Sequence, residues 1–396
     1  MSVTLFANHN LAVRRVDAGG DGPIVVTFDS YHDVLTLERS GFGEAFFAGI
    51  GITAIHVLCR DNVWFQYPEM PQVLSEIRTA VAGARTVMTY GSSMGAYAAI
   101  RFADAVGAHA ALALSPQYSI DRAKTPFEKR WGHARRSVRF LPSLDGPIRC
   151  GCAPVVIYDD KNIDRRHVDL IAADTPIVRV RAPFGGHPIS TYLSEIDALK
   201  SIVREVLDHR FDATKLEAQL RRGRRESASY VAGLCERQPA WRPRLTASLA
   251  HRVLSMAHSR SDLQNRMALK LAALGHFEEA IAAHRRADEL ELEAVFLLSH
   301  SRTLHAAGQL GPALVLADRL VDLYPNAPDY HDWRSKSREA TDDLRGAADS
   351  ARVALALDPT NIRYIARAAQ LEWKLTHRRG VNLLGRLIDG RDGSSA

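Results

Sequence analysis

Residues 86–102 read Thr-Val-Met-Thr-Tyr-Gly-Ser-Ser-Met-Gly-Ala-Tyr-Ala-Ala-Ile-Arg-Phe, and this stretch decides how the first half of the chain is interpreted. It begins with the β-branched and apolar residues of a buried strand and ends with an apolar segment typical of a helix. Between them lies the pattern Gly91-x-Ser93-x-Gly95. The two glycines give the backbone room for a sharp turn, because they have no Cβ atom. The sequence therefore predicts a strained, exposed Ser93 between a strand and a helix; the alternative is a chance match to a short pattern.

The composition is that of an ordinary globular protein: 396 residues, 46% hydrophobic and 24% charged. That length is sufficient for two domains with substantial cores. No segment approaches the roughly 18 consecutive apolar residues of a membrane span. The first residues also lack the basic segment that begins a signal peptide. We therefore expect a cytoplasmic protein with no membrane span.

The four cysteines do not form the spacing pattern of a disulfide framework. Cys150 and Cys152 are separated by one residue and have the appearance of half a metal site. No second Cys or His pair follows at a matching distance, so the sequence offers no complete ligand set. We expect neither a metal nor another cofactor.

The net charge of +6 is concentrated in one region, since residues 211–260 hold ten Lys or Arg against four Asp or Glu. The densest basic run is formed by Arg221, Arg222, Arg224 and Arg225. This run is interpreted first as a solvated helix face and second as a contact for an acidic partner or anionic surface. No nucleic-acid-binding motif accompanies it, so we expect no nucleic-acid partner.

Up to about residue 208, strand-like and helix-like segments alternate, which predicts an α/β domain with a mostly parallel sheet. The predicted strands cover residues 3–7 and 11–16 as a hairpin, then 23–28, 52–59, 86–90, 110–114, 153–158 and 176–181. The predicted helices cover residues 43–48, 72–82, 96–102, 165–173 and 189–207.

Beyond residue 260 a repeat replaces the strand pattern. Ala280, Ala313 and Ala347 are separated by 33 and 34 residues, and Pro325 and Pro359 follow at a constant offset from the last two alanines. This spacing resembles that of tetratricopeptide repeats, whose period is about 34 residues. The resemblance implies an all-α solenoid that docks a protein partner.

These patterns together predict three regions: an α/β domain over residues 1–208, a basic helical connector over 209–260, and tetratricopeptide-like repeats over 261–390. Residues 361–373 and 381–388 are expected to form a degenerate repeat or a capping helix pair, which a stacked array needs for solubility.

The strand–turn–helix context of Ser93, together with Gly185-Gly186-His187 after the last strand, resembles the α/β-hydrolase superfamily. The resemblance covers about the first half of the chain and implies that Ser93 is the nucleophile and His187 the general base. In that family the acid lies between them in the chain. Three carboxylates follow the strand at residues 153–158, and Asp159 is favoured because it stands at the strand end; the alternatives are Asp160 and Asp164. A helix N-cap would explain Asp164 without catalysis.

The resemblance also implies two backbone N–H groups that stabilise an oxyanion. One is expected from Met94, directly after the nucleophile. The other is expected from the turn after the strand at residues 23–28, from Ser30 or from Tyr31. The His-Gly pair that is common in the family at this turn is replaced here by Asp29-Ser30.

Substrate binding is assigned to aromatic residues near the same edge of the sheet, Trp64, Tyr67 and Tyr31; core packing explains the first two equally well. The insertion at residues 121–149 carries eight Lys or Arg against three Asp or Glu, which indicates either an anionic substrate or a solvated surface. The expected activity is that of a serine hydrolase acting on an acyl ester of a small molecule or carbohydrate. Alternatives are a thioesterase or peptidase with the same triad, and a non-catalytic scaffold whose repeats bind a partner.

Overall fold

In a computed structural model, the chain divides into two compact units, Met1–Leu234 and Cys235–Ala396. The structure describes residues 2–19, 22–32 and 36–389. The first unit extends beyond residue 208 because the next helix adds Leu216 and Leu220 to the core on one side of the sheet. Residues 209–260 are therefore not a separate connector, and the expected boundaries are corrected to those of the two units.

The N-terminal unit is built on an eight-stranded mixed sheet with the order β1-β2-β4-β3-β5-β6-β7-β8. The pairs β1–β2 and β2–β4 are antiparallel, and the remaining neighbours are parallel. The predicted opening hairpin is confirmed. The strands are β1 (Ser2–Ala7), β2 (Leu11–Val16), β3 (Ile24–Phe28), β4 (Thr53–Cys59), β5 (Val87–Ser92), β6 (Ala110–Leu114), β7 (Val155–Tyr158) and β8 (Val178–Arg181).

Helices cover the sheet on both faces, as expected where parallel strands are joined by crossovers. They are α1 (Glu44–Gly49), α2 (Met70–Ala80), α3 (Met94–Arg101), α4 (Gly132–Ser137), α5 (Asp164–Asp174), α6 (Ser190–Glu195), α7 (Leu199–Leu207), α8 (Ala213–Gly223) and the start of α9 (Ala228–Glu236). The single helix predicted over residues 189–207 is wrong, because Asp197 has a φ of 53° and separates α6 from α7.

The central strands are buried along their whole length, which explains their apolar sequences. Because β3, β5, β6 and β7 are parallel, their carboxyl ends meet at one edge of the sheet. Ligands of open α/β sheets bind outside this edge. The segments that follow these strands are therefore where a functional site is to be sought.

The C-terminal unit is an array of helix pairs. Its helices are α10 (Pro243–Met256), α11 (Ser261–Ala273), α12 (Phe277–Leu290), α13 (Ala294–Ala306), α14 (Leu310–Leu323), α15 (Pro328–Ala340), α16 (Leu344–Leu357) and α17 (Ile362–Asp389). The tight turn inside each of three pairs contains a left-handed residue, Gly275, Gly308 and Asp342. These three positions repeat the 33- and 34-residue steps of the sequence, so the predicted helical repeats are present.

The C-terminal end of the array differs from the sequence-based expectation. Residues 362–389 form the single helix α17 instead of a helix pair. Helical propensity continues across residues 374–380, where no Gly or Pro interrupts the pattern before Gly380. None of the helices in the described part of the chain combines the length and apolar character needed to cross a bilayer.

The close packing of the repeats depends on small side chains, and this can be tested on one helix. Ala280 is fully buried in α12, whereas Ala282 on the same helix is exposed. We expect Ala280→Leu to destabilise the array by about 1–3 kcal/mol, because the added atoms have no space. The matched change Ala282→Leu should alter the free energy of unfolding by less than about 0.5 kcal/mol. Circular dichroism follows the unfolding of both variants. Equal effects of the two changes would contradict the predicted packing.

Candidate functional site

The predicted sharp turn is present between β5 and α3. Ser93 occupies it with φ 53° and ψ −117°, a strained conformation for a residue with a side chain. The predicted exposure is wrong, because Ser93 is buried at the sheet edge, with 5% of its surface exposed. A Cβ on Gly91 would lie 2.2 Å from the carbonyl group of Gly95, so only glycine fits at residue 91. A Cβ on Gly95 would lie 2.2 Å from the carbonyl oxygen of Phe28, at the end of β3. The Gly-x-Ser-x-Gly pattern is therefore required by backbone contacts.

Ser93 and His187, which are 94 positions apart in sequence, are brought together. Ser93 Oγ lies 2.9 Å from His187 Nε2. The amide of Gln117, a residue that follows β6, donates from Nε2 to Ser93 Oγ over 3.1 Å. Because that bond uses an acceptor position of the hydroxyl, the hydroxyl proton is left to be donated to His187. The Ser93 hydroxyl is thus hydrogen-bonded to an imidazole nitrogen that can accept its proton.

The carboxylate that contacts His187 is that of Asp164, and the choice of Asp159 is corrected. Asp164 Oδ2 lies 2.8 Å from His187 Nδ1, and its side chain is fully buried. Asp164 does not cap the helix: Ile163 is the N-cap of α5, and the Asp164 N–H itself donates to Asn162 Oδ1. A bond to Nδ1 fixes the tautomer in which Nε2 accepts the Ser93 proton.

Asp159 faces the backbone of the loop that carries His187. Its Oδ1 accepts from the N–H of Phe184 over 3.0 Å, and its Oδ2 accepts from the N–H of Gly186 over 3.1 Å. Asp159 thus positions the loop, while Asp160 pairs with Lys161 over 3.3 Å. Of the three candidate carboxylates, one contacts the imidazole and another holds the loop that carries it.

One residue of the 121–149 insertion, Arg130, reaches the buried Asp164 carboxylate, and a second, Glu128, pairs with Arg130. Arg130 forms ion pairs with Asp164 Oδ1 over 2.9 Å and with Glu128 over 2.7 Å. Burial opposes ionisation of Asp164, but His187 and Arg130 together hold its pKa below the usual value. Burial likewise opposes ionisation of Glu128, while hydrogen bonds from His167 and Arg130 lower its pKa to about 2. Asp164, the carboxylate that contacts His187, therefore stays ionised well below neutral pH.

His167, on α5, contacts groups other than Ser93 through both ring nitrogens. Its Nδ1 accepts from the N–H of Tyr118 over 3.1 Å, so Nε2 carries a proton and donates to Glu128 over 2.9 Å. Both ring nitrogens are used, and the ring is fully buried. His167 supports Glu128, and through it Arg130.

The predicted oxyanion donors lie on segments that contact each other. Met94 is the first residue of α3, so its N–H has no partner within the helix. Gly95 packs against the carbonyl groups of Phe28 and Asp29, directly before Ser30. The buried Asp29 carboxylate accepts from Arg39 over 2.6 Å and from the N–H of Cys59 over 2.9 Å. Asp29 therefore fixes the turn that carries Ser30.

The three predicted aromatic residues have different surroundings. Tyr67 is buried, and its hydroxyl donates to the Asp61 carbonyl and accepts the Asp61 N–H, so core packing accounts for it. Trp64 is also buried, 5.6 Å from the ring of Trp131 and 6.4 Å from that of Tyr31. Tyr31 and Trp131 are half-buried, 4.8 Å apart.

Trp131 is the member of this aromatic group that lies near His187, the hydrogen-bond partner of Ser93. Its ring centroid lies 6.1 Å from that of His187. Among the described residues, its buried indole N–H has no hydrogen-bond acceptor. Trp131, Arg130 and Gln117 were not identified from the sequence; the only signal was the position of the insertion that carries the first two.

Two clusters bear on metal binding. The ligand atoms of Asp29, His32 and Cys59 lie within 4.8 Å of one another, but the Arg39 guanidinium lies 2.6 Å from both Asp29 Oδ2 and His32 Nε2. Burial raises the pKa of the Cys59 thiol, which disfavours the thiolate that a metal needs. In this cluster the Arg39 guanidinium supplies the positive charge that a metal ion would otherwise supply. Cys150 and Cys152 approach within 3.4 Å through their sulfurs.

No family model matches the chain, and no curated protein matches it. Solved structures similar to it include MamA (residue 41 to the end) from Desulfovibrio magneticus RS-1, with 15% identity and a TM-score of 0.34 over 42% of this chain and 96% of MamA. A second is a thermophilic TPR protein of Thermus thermophilus, with 15% identity and a TM-score of 0.32 over 45% and 99%. The first TPR of Spaghetti (RPAP3), bound to an HSP90 peptide, matches with 16% identity and a TM-score of 0.28 over 30% and 94%. Each of these structures is similar to less than half of this chain.

The contact between Gly95 and the end of β3 yields a stability prediction. We expect Gly95→Ala to destabilise the N-terminal unit by at least about 2 kcal/mol, because the methyl group would overlap a backbone carbonyl that cannot move without breaking the sheet. Gly49→Ala is the matched control, since no atom of the described residues lies within 4 Å of a Cβ there. It should change stability by less than about 1 kcal/mol. Thermal unfolding of the two variants measures the difference, and a neutral Gly95→Ala would contradict the close approach of α3 to β3.

Proposed function

We propose that the N-terminal unit is a serine hydrolase of the α/β-hydrolase type, with Ser93 as nucleophile, His187 as general base and Asp164 as the acid that orients it. The observation that carries the proposal is the unbroken chain of contacts from Ser93 Oγ through His187 to Asp164, over 2.9 and 2.8 Å. The strained turn at Ser93 and the order Ser, Asp, His along the chain support the same assignment.

In the proposed reaction, Ser93 Oγ attacks an acyl carbonyl while His187 Nε2 takes the hydroxyl proton. The carbonyl oxygen becomes an oxyanion, for which the N–H groups of Met94 and Ser30 are the proposed donors. His187 then gives its proton to the leaving alcohol, and an acyl ester on Ser93 remains. Water, deprotonated by His187, attacks that ester. His187 then returns the proton to Ser93 Oγ, the bond between Oγ and the acyl carbon breaks, and the acyl group leaves as a carboxylic acid.

Asp164 would stabilise the imidazolium that forms in both half-reactions, and Arg130 would hold the Asp164 carboxylate in place through its second oxygen. An ion pair of this kind also explains how a carboxylate that is fully buried stays ionised. A positively charged Arg130 beside the acid weakens its attraction for the imidazolium. In the proposed mechanism Arg130 therefore keeps Asp164 ionised and in position, and it does not add to the attraction between Asp164 and the imidazolium.

The proposed substrate class is an acyl ester of a small molecule or carbohydrate. Half-buried Tyr31 and Trp131 supply an aromatic wall near His187, which suits an apolar acyl group or the face of a sugar ring. The indole N–H of Trp131, which has no acceptor among the described residues, adds a donor for a polar group of such a substrate. The triad itself does not distinguish esters from thioesters or peptides, so thioesterase and peptidase activities stay as alternatives.

A second candidate function belongs to the C-terminal array, which we propose docks a protein partner. The observation that favours it is a set of apolar side chains that are exposed on several segments of the array. They include Leu269, Leu292, Val295, Val315, Leu323 and Ile362. If the N-terminal unit had lost its activity, this docking would be the main function and the protein would be an interaction scaffold.

Labelling with a fluorophosphonate probe tests the nucleophile without knowledge of the substrate. We expect the probe to modify the full-length protein at Ser93, and Ser93→Ala and His187→Ala each to abolish labelling, because the probe reacts with an activated serine. Ser92→Ala is the matched control: the neighbouring hydroxyl is buried and has no hydrogen-bond partner among the described residues. Labelling should survive it.

The labelling experiment also separates the two candidate functions. Labelling that persists in Ser93→Ala would reject the triad. A folded full-length protein that the probe does not label at all would favour the scaffold.

The orienting acid is tested by kinetics on a chromogenic ester. We expect Asp164→Asn to lower kcat by up to about 10⁴-fold, because the amide no longer holds His187 in the reactive tautomer. Asp169→Asn, on the exposed side of the same helix, should leave kcat unchanged. Normal turnover in folded Asp164→Asn would overturn the assignment. If Asp159→Asn were inactive and Asp164→Asn were active, Asp159 would be the acid that orients His187.

A further inference from the structure

A cavity of about 360 Å³ lies within the N-terminal unit, beside the sheet edge strand β8. Its walls come from the segments that follow β7 and β8, from α6 and α8, and from the start of α9. Ser93, Asp164 and His187 are not among its lining residues. The cavity is therefore a different place from the proposed catalytic site.

The cavity has an excess of positive charge. Four cations and two carboxylates line it: Lys161, Arg181, Arg221, Arg224, Asp160 and Glu217. Each carboxylate has a cation of its own, since Asp160 pairs with Lys161 over 3.3 Å and Glu217 with Arg221 over 3.9 Å. Within the described part of the chain, Arg181 and Arg224 have no carboxylate at ion-pair distance. The cavity thus presents two guanidinium groups without counter-charge.

One side of the cavity is apolar and rigid. The rings of Tyr192 and Tyr230 lie 5.8 Å apart. Tyr192 is held in place because its hydroxyl donates to the Leu220 carbonyl over 2.7 Å. The start of α9 is held by Glu195, which accepts hydrogen bonds from the Ser229 N–H over 3.0 Å and the Ser229 hydroxyl over 2.8 Å. The aromatic wall of the cavity is therefore preformed.

We propose that this cavity binds a small molecule that carries a phosphate group on a flat apolar body. Arg181 and Arg224, which have no carboxylate partner among the described residues, match the charge of a phosphate monoester, which is close to −2 at neutral pH. Guanidinium groups bind phosphate oxygens in a bidentate manner, so Arg181 and Arg224 provide both charge and geometry. The Tyr192 and Tyr230 rings contact the flat body of the ligand. A plain carboxylate would balance only one of the two charges.

This site gives a role to half of the basic run that the sequence singled out. Arg221 and Arg224 line the cavity, whereas Arg222 and Arg225 do not. Residues that are three apart lie on the same face of a helical segment, which explains why the run divides in this way. The run therefore supplies a defined anion site on one face.

Isothermal titration calorimetry of the full-length protein with 1-naphthyl phosphate tests the proposal. We expect binding that weakens as salt concentration rises, and little binding of 1-naphthol, which lacks the charge. Arg181→Gln and Arg224→Gln should each weaken binding by about 10-fold or more, because each removes a charge-assisted hydrogen bond. Arg222→Gln, in the same basic run but outside the cavity, should bind as the unchanged protein does.

Both arginines have exposed side chains, so their replacement should not unfold the protein, and circular dichroism checks this. Ser93→Ala should bind the phosphate ester normally, whether or not the serine is catalytic. Loss of binding in Ser93→Ala would place the ligand in the other site and overturn the proposal. Absence of binding to the full-length protein, or equal losses in Arg181→Gln and Arg222→Gln, would also overturn it.

Discussion

The backbone contact between Gly95 and the end of β3 is the constraint on which the rest of the site depends. It brings the start of α3 against the turn at Asp29 and Ser30, and so sets the strained conformation of Ser93. Strain of this kind persists only where the surroundings determine it fully. Here the surroundings are the buried parallel strands on both sides of β5, together with the Asp29–Arg39 ion pair. The geometry of the turn at Ser93 is thus set by the sheet.

Much of the fold was predictable because buried strands and repeated alanines leave strong periodic signals. The strand at residues 110–114 has the predicted bounds, and the 33- and 34-residue steps reappear in the turns of the array. The break at Asp197 was missed because a left-handed residue other than glycine leaves no mark in sequence. The boundary near residue 208 was wrong for a related reason. The apolar face of α8, with Leu216 and Leu220, has the same pattern whether it packs on a sheet or on another helix.

The site was predictable only in part. The turn at Ser93 and the loop at His187 have sequence signatures, since both depend on glycine. The carboxylate that contacts His187 has no such signature. Asp159, Asp160 and Asp164 carry the same side chain, and only the direction in which each side chain points distinguishes them. That direction is set by long-range contacts, chiefly the ion pair between Asp164 and Arg130. Because Arg130 lies 34 positions from Asp164 in the sequence, the local pattern around Asp164 cannot identify it as the carboxylate that contacts His187.

The end of β7 links the proposed catalytic site to the phosphate cavity. Asp159 holds the loop of His187 through two backbone N–H groups, and the next residue, Asp160, lines the cavity. Neighbouring residues at the end of a strand point to opposite sides, so one short segment can contact both places. Pro183, on the same loop as His187, also lines the cavity. A ligand bound there would contact the two segments whose positions decide whether His187 reaches Ser93.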